Sequence, residues 1–486
     1  MVGAYTFFDG SQVLQPLATI LSVQVDQLNL AVLLLISLPL SSFYLKFLGP
    51  YKASRQVRLL FPVVVGLALL YFCYGSAIKH TLFLAGMAYG LLRLIPQSYI
   101  HLATFLWSMG YLSYVHFYRC WYLEAASMRV DVTGTLMLLT QRTISVAFSV
   151  HDGQARKWDA LTPLQKEKAV KKPPLFVEYF SYLFNFQTVM VGPFCFYNDY
   201  MDFISGANYD APDSVGSASN GVADPKKKRA LKASKKRLPN PWLAVSQKMA
   251  TAAVCLVFLL FAQRSGDPFL LLREPLRSTG LVHWYLFLIY CEFCARVHYY
   301  FVWVFADAVC NASGLGFSGY TNGGTPMWEL TSNVDILSFE LASSWKSALD
   351  AWNKTTVSWL RHVAYERAGV LATYLLGAAW HGFFPGYYLT YATGALFTLA
   401  NRSFRRCFHA RVERSGTALK WLYFALAFAA TKLAMGYCTM PFVLLEWRVP
   451  MEFYGRFYYH LHIIGLAIVF VLPRVVPSTH RSKTKQ

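Results

Sequence analysis

Residues 345–390 read WKSALDAWNKTTVSWLRHVAYERAGVLATYLLGAAWHGFFPGYYLT. Over 345–366 the spacing predicts one helix with two faces. Leu349, Asn353, Val357, Leu360 and Ala364 share an apolar stripe, and Lys346, Asp350, Lys354, Arg361 and Tyr365 share a second one that can meet water. Asn353 is the odd member of its stripe, because a buried amide needs hydrogen-bond partners. His381 is odder still. It follows the run 370–380, whose only polar side chains are Thr373 and Tyr374, and Gly382, Pro385 and Gly386 come at once after it. Those residues break a helix and let backbone approach a ligand closely. An ionisable group at membrane depth beside broken backbone usually lines a cavity.

Composition sets the class. A chain of 486 residues could hold about two or three soluble domains. However, 55% hydrophobic, 14% charged and 17% aromatic residues describe a polytopic membrane protein, as does a mean hydropathy of +0.34. The 31 Tyr and 13 Trp suit interfacial belts. The net charge of +20 gathers in loops and tail, which fits the positive-inside rule better than nucleic-acid binding. Nine cysteines are scattered, mostly in apolar runs, and imply no disulfide framework. Cys291 and Cys294 form a CxxC without a second pair or paired histidines, so a helix face is expected and no metal site.

Residues 1–27 carry Asp9 and Asp26 but no Lys or Arg, so no secretory signal peptide is expected there. Apolar runs follow at 28–48, 58–78, 80–98 and 101–119. The run 131–150 holds Gln141 and Arg142, and either crosses facing the protein interior or lies shallow. Residues 151–174 read as a polar basic loop opening on His151-Asp152. The aromatic stretch 177–203, broken at Gly192-Pro193, reads as a discontinuous or re-entrant segment. Residues 205–240 are a linker whose basic part, 226–237, belongs beside anionic headgroups at the cytosolic face. Spans resume at 243–263 and 281–305, and 310–344 reads as an ordered Gly- and Ser-rich loop. Further spans are expected at 387–400, 418–440 and 457–473, followed by a basic cytosolic tail.

The chain has no GxSxG, no HExxH and no histidine followed after four residues by aspartate, so hydrolase, zincin and glycerol-phosphate acyltransferase chemistries lack their anchors. A histidine and an amide, 28 residues apart (381 minus 353), suit direct transfer instead. A neutral imidazole takes the proton of an acceptor hydroxyl as it attacks an activated acyl group. An amide donates to the developing oxyanion or holds the acceptor.

The segments WNKTTVSWLRHVAYER and GAAWHGFFPGYYLTYATG resemble the membrane-bound O-acyltransferases, in their lysophospholipid acyltransferase branch. HDG at 151–153, EYFSYLFNF and VGPFCFYNDY within 178–200, and CTMPFVLL at 438–445 add to the likeness, which covers most of the chain from about residue 130. The apolar runs count about 10–11 transmembrane helices, and the resemblance implies that they form an all-α polytopic membrane protein, a bundle around a central tunnel. It divides the chain into an N-terminal transmembrane bundle (1–150), a loop, re-entrant segment and basic linker (151–240), a catalytic core (241–473) and a cytosolic tail (474–486). It makes Asn353 and His381 the catalytic pair, with His381 as general base. Lys354 and Arg361 become candidates for the coenzyme A phosphates, and Trp345, Trp352, Tyr365, Tyr387 and Tyr388 candidates for the cavity wall. Acyl-CoA is the implied co-substrate, with no permanently bound cofactor and no metal. The acceptor is a lysophosphatidylethanolamine, -serine or -choline, re-acylated in the Lands cycle at the endoplasmic reticulum membrane. Membrane lipids are the other partners, nucleic acid is not, and a homodimer is compatible. Two alternatives stand beside this reading: a peptide or protein O-acyltransferase of the same superfamily, and a non-catalytic, transporter-like polytopic protein.

Overall fold

The structure, a computed structural model, describes residues 9–122, 130–209, 238–262, 279–321, 323–445 and 447–476, with positions 266 and 270. The basic run 226–237 and the tail beyond 476 lie outside the described residues. Nearly all regular structure is helical, and the strands among the described residues are the short antiparallel pair Gly319–Tyr320 and Pro326–Met327. Val25–Phe47, Arg55–Leu94, Trp242–Phe261 and Thr417–Leu444 are long and apolar enough to cross a membrane. Arg448–Arg456 with His460–Val475, bent by 74°, makes a fifth if the pair is one span. Other helices have the length but carry polar residues, among them Ile100–Tyr122, Thr133–Gln154, Leu281–Ser313 and Pro385–Glu413.

The chain forms two compact units, Met1–Ala252 with Val302–Asn333, and Ala253–Phe301 with Val334–Gln486. In the first, helix Thr133–Gln154 is buried along nearly its whole length although Thr, Ser, Gln and Arg fill it. It therefore takes the interior-facing course, and some of its polar groups find partners inside, whereas the hydroxyls of Thr133, Thr140 and Ser145 are buried without one among the described residues. Ser108 and Thr143 hydroxyls meet at 2.9 Å. Arg142 is fully buried, and its guanidinium is taken up by backbone and a hydroxyl. It donates to the carbonyls of Tyr182 (3.1 Å) and Leu183 (2.7 Å) and to the Thr188 hydroxyl. Those carbonyls end helix Phe176–Phe184, where the last turn lacks intrahelical donors and the helix dipole favours a cation. Arg58 repeats the device at helix Tyr197–Ser205, donating to Phe203 O (2.7 Å), Ile204 O (2.8 Å) and Leu48 O (2.5 Å). Two guanidinium forks thus hold the two short helices of the broken segment, with residues 185–196 irregular between them.

Lysine at position 142 has its three donors on one nitrogen and cannot reproduce the two-nitrogen fork that spans these acceptors. Arg142→Lys is therefore expected to lower the stability of the purified protein by about 1–3 kcal/mol, read as a lower melting temperature in detergent.

The expected loop at 151 begins later, because helix Thr133–Gln154 carries His151 and Asp152 in its last turn. Adjacent helical side chains diverge by about 100°, so the two side chains point apart. Asp152 is buried and pairs with Arg156 at 3.4 Å. His151 stacks on His101, centroids 3.7 Å apart, with Nδ1 2.9 Å from the Gln97 carbonyl.

The second unit is organised on helix Pro385–Glu413, which packs against Glu366–His381, Thr417–Leu444 and His460–Phe470. The sequence reading stopped this span at residue 400, where arginines begin. The arginines sit on a continuing helix of 29 residues, about 43 Å at 1.5 Å per residue, longer than a hydrocarbon core of about 30 Å. Helix Leu281–Ser313 likewise outruns the expected 281–305, taking its last turn from the supposed loop.

Candidate active site

Asn353 does not lie inside a helix. The single helix expected over 345–366 is broken into Trp345–Ala351 and Lys354–Leu360, followed by a π-helical turn Arg361–Tyr365. Asn353 stands at the break in the left-handed conformation, φ 46° and ψ 45°. Asparagine visits that region more readily than other residues with a Cβ. The break resets the register, so the apolar stripe built on unbroken spacing holds only in part: Leu360 and Ala364 are buried, but Val357 is exposed while Thr355, Thr356 and Trp359, off the stripe, are buried. Asn353 is half-buried, and its carboxamide makes no capping hydrogen bond to the helix it precedes. That amide remains available for other work.

Trp352, just before the break, is held by three rings: Phe339 at 5.1 Å, Tyr299 at 5.8 Å and Tyr300 at 5.8 Å between centroids. The backbone is pinned alongside, Asp335 N–H donating to Ala351 O at 2.9 Å. Trp345 is buried against Phe397 and donates its indole N–H to Thr398 at 3.0 Å, which is a packing role.

His381 closes helix Glu366–His381, which is kinked at Gly369 (φ 81°), and Gly382 at φ 117° turns the chain out. The half-buried imidazole stands among four neutral rings: Trp380 (4.6 Å), Phe442 (4.9 Å), Tyr387 (5.4 Å) and Tyr391 (5.7 Å). Close helix approach sets this cage. A Cβ on Gly377 would come within 2.4 Å of the Tyr391 ring, and one on Gly394 within 2.9 Å of the Tyr374 ring. Small residues thus interlock with tyrosines across the two helices. Gly386 N–H donates to Leu445 O at 3.0 Å, and a Cβ there would meet Pro441 O at 1.9 Å. Gly386→Ala is accordingly expected to push the PGYY turn away from residues 441–445 and cut acyl transfer at least about tenfold, checked by kcat of the purified variant.

Tyr387, a candidate for the cavity wall, lies beside His381. Tyr391, one turn further on, and Phe442, within the CTMPFVLL segment, complete the cage and were missed. The i+4 step from Tyr387 was the available signal for Tyr391. Tyr388 is half-buried one helical position away and is not among the ring neighbours of His381. Tyr365 is exposed and meets Arg402, whose guanidinium donates to its hydroxyl at 3.2 Å and lies 5.8 Å from its ring. Arg361 is exposed and 3.6 Å from Glu366, and Lys354 feels the charge of Asp335. Among the described residues no cluster of three His, Cys, Asp or Glu side chains is placed to hold a metal.

An imidazole beside aromatic rings and an amide at a backbone break are the residue types that transfer from an activated acyl donor calls for. Comparison with known proteins agrees. Residues 117–440 match the membrane-bound O-acyltransferase family (MBOAT). The chain is 37% identical to lysophospholipid acyltransferase 6 of Drosophila melanogaster over 482 residues, which is 98% of this chain and 65% of that protein. It is 35% identical over 489 residues to human membrane-bound glycerophospholipid O-acyltransferase 2, covering 99% of this chain and 91% of that one. Human membrane-bound glycerophospholipid O-acyltransferase 1 is 34% identical over 488 residues, 98% of this chain and 95% of its own length. The chain belongs to the membrane-bound O-acyltransferase family.

Proposed function

We propose that this acyltransferase moves an acyl group from acyl-CoA to the free hydroxyl of a lysophospholipid, with His381 as general base and Asn353 as hydrogen-bond donor. The observation that carries the reading is the setting of His381, a helix-terminal imidazole among four neutral rings beside the PGYY turn. The names of the relatives above support a glycerophospholipid acceptor.

In the proposed reaction the acceptor oxygen attacks the thioester carbonyl carbon. A C–O bond forms, the C–S bond breaks, and coenzyme A leaves as a thiolate. The imidazole takes the hydroxyl proton and passes it to the thiolate, so the products are a diacyl phospholipid and coenzyme A. The C-terminal end of helix Glu366–His381 favours the transient imidazolium, since the helix dipole puts partial negative charge there. The Asn353 carboxamide donates to the thioester oxygen as it gains charge, or holds the acceptor hydroxyl in line. Work at the endoplasmic reticulum membrane, in re-acylation of lysophospholipids and with acyl-CoA entering from the cytosol through a tunnel, completes the proposal.

The test is a panel assay of the purified protein with oleoyl-CoA against lysophosphatidylethanolamine, -serine and -choline and against a serine-containing peptide. Turnover of one or more lysolipids and none of the peptide is expected. Acylation of the peptide alone, or of nothing, would overturn the proposal.

A further inference from the structure

The short helix Ile336–Glu340 ends on a carboxylate that gathers an unusual set of donors. Arg296 grips Glu340 with Nε at 3.0 Å and Nη2 at 2.9 Å, Lys432 Nζ donates at 2.7 Å, and the Tyr300 hydroxyl donates at 2.6 Å. Arg296 and Tyr300 sit on helix Leu281–Ser313, one turn apart, and Lys432 on Thr417–Leu444. Burial works to raise the Glu340 pKa, but the Arg296 charge and the hydrogen bonds outweigh it and hold the carboxyl below the ordinary range. A lowered carboxyl pKa means the anchor is at full strength above about pH 4.3 and is lost only as pH falls through the lowered value.

The same two cations clamp the neighbouring ring. Arg296 lies 5.3 Å and Lys432 5.4 Å from the centroid of Phe339, and Phe339 bears on Trp352. Tyr300 touches both ends of the assembly, giving its hydroxyl to Glu340 and its ring to Trp352. The other end of the helix is tied to the same turn, because Asp335 caps it and also binds Ala351 O through its N–H. Contacts therefore run unbroken from the Glu340 carboxylate through Phe339 and Tyr300 to Trp352, and the next residue is Asn353. A left-handed non-glycine residue persists only where its surroundings over-determine it.

We infer that Glu340 is a positioning residue for acyl transfer: its ion-paired carboxylate fixes the Phe339–Tyr300 brace that holds Trp352 and thereby aims the Asn353 carboxamide. The inference rests on the proposed role of Asn353. The test uses full-length protein, lysophosphatidylethanolamine and oleoyl-CoA, with Glu340→Gln, Asn353→Gly and the double variant. Glu340→Gln is expected to lower kcat about tenfold while both KM values stay within about twofold. In the Asn353→Gly background the same change is expected to cost less than about twofold, because the group it aims is already gone. Tyr300→Phe removes one hydrogen bond from the same carboxylate and leaves the ion pairs, so it serves if Glu340→Gln does not fold; a two- to threefold fall in kcat, about 0.5 kcal/mol, absent in the Asn353→Gly background, is expected of it. A full tenfold loss in both backgrounds, or a rise in KM for oleoyl-CoA in place of the fall in kcat, would overturn the positioning role. Normal turnover of Asn353→Gly alone would instead overturn the catalytic reading of Asn353.

Discussion

His381→Ala is expected to abolish measurable acyl transfer while the protein folds and inserts as before. Removing a general base costs about 10²–10⁴-fold. None of the rings beside the imidazole, Trp380, Tyr387, Tyr391 and Phe442, is a base that could take its place. The side chain is only half-buried and ends a helix, so truncation should cost little stability. His381→Gln keeps size and hydrogen bonding without a usable base, and should be as inactive. Detergent-purified protein with a wild-type melting temperature and a turnover within tenfold of wild type would remove His381 from the chemistry.

The second large effect is at Asn353, where backbone and amide must be separated. Alanine in the left-handed region costs about 1–2 kcal/mol, so Asn353→Ala mixes a strained turn with a lost carboxamide. Glycine takes φ 46° without strain. Asn353→Gly should therefore keep the turn and the melting temperature yet lose about 10²–10³-fold in kcat, the cost of deleting one donor to a developing oxyanion. If the amide instead holds the acceptor, the loss should appear in KM for the lysolipid. Asn353→Asp tolerates the same backbone but, when ionised, only accepts hydrogen bonds, and should be no more active than glycine. Full activity of Asn353→Gly would mean the asparagine serves only the turn.

Much of this site was readable before the fold was known, and the remainder had specific reasons for being hidden. His381 was exposed by local chemistry alone: a long apolar run, one imidazole, then Gly382, Pro385 and Gly386. The broken segment at 177–203 was likewise announced by Gly192-Pro193, although its helix already ends at Phe184 because Arg142 takes up the terminal carbonyls. Asn353 was recognised as an outlier, but its reason was misread. Nothing in WNKTT forbids a helix, and the left-handed turn is imposed by contacts around Trp352 from residues 299, 300 and 339. Glu340 was invisible for a related cause. It lies in a Gly- and Ser-rich stretch with no periodicity, and its partners are 40, 44 and 92 residues away along the chain. The helix Pro385–Glu413 was cut short because hydropathy falls where its arginines begin, while helix formation does not depend on hydropathy.

The most direct test follows one radiolabelled acyl group from acyl-CoA through the purified protein. Incubation with lysophospholipid should place the label in diacyl phospholipid and release coenzyme A in equal amount. Omission of the lysophospholipid should leave the thioester intact and the protein unlabelled. Label that stays bound to the protein without an acceptor, or coenzyme A release indifferent to lysophospholipid, would contradict direct transfer to a lipid hydroxyl.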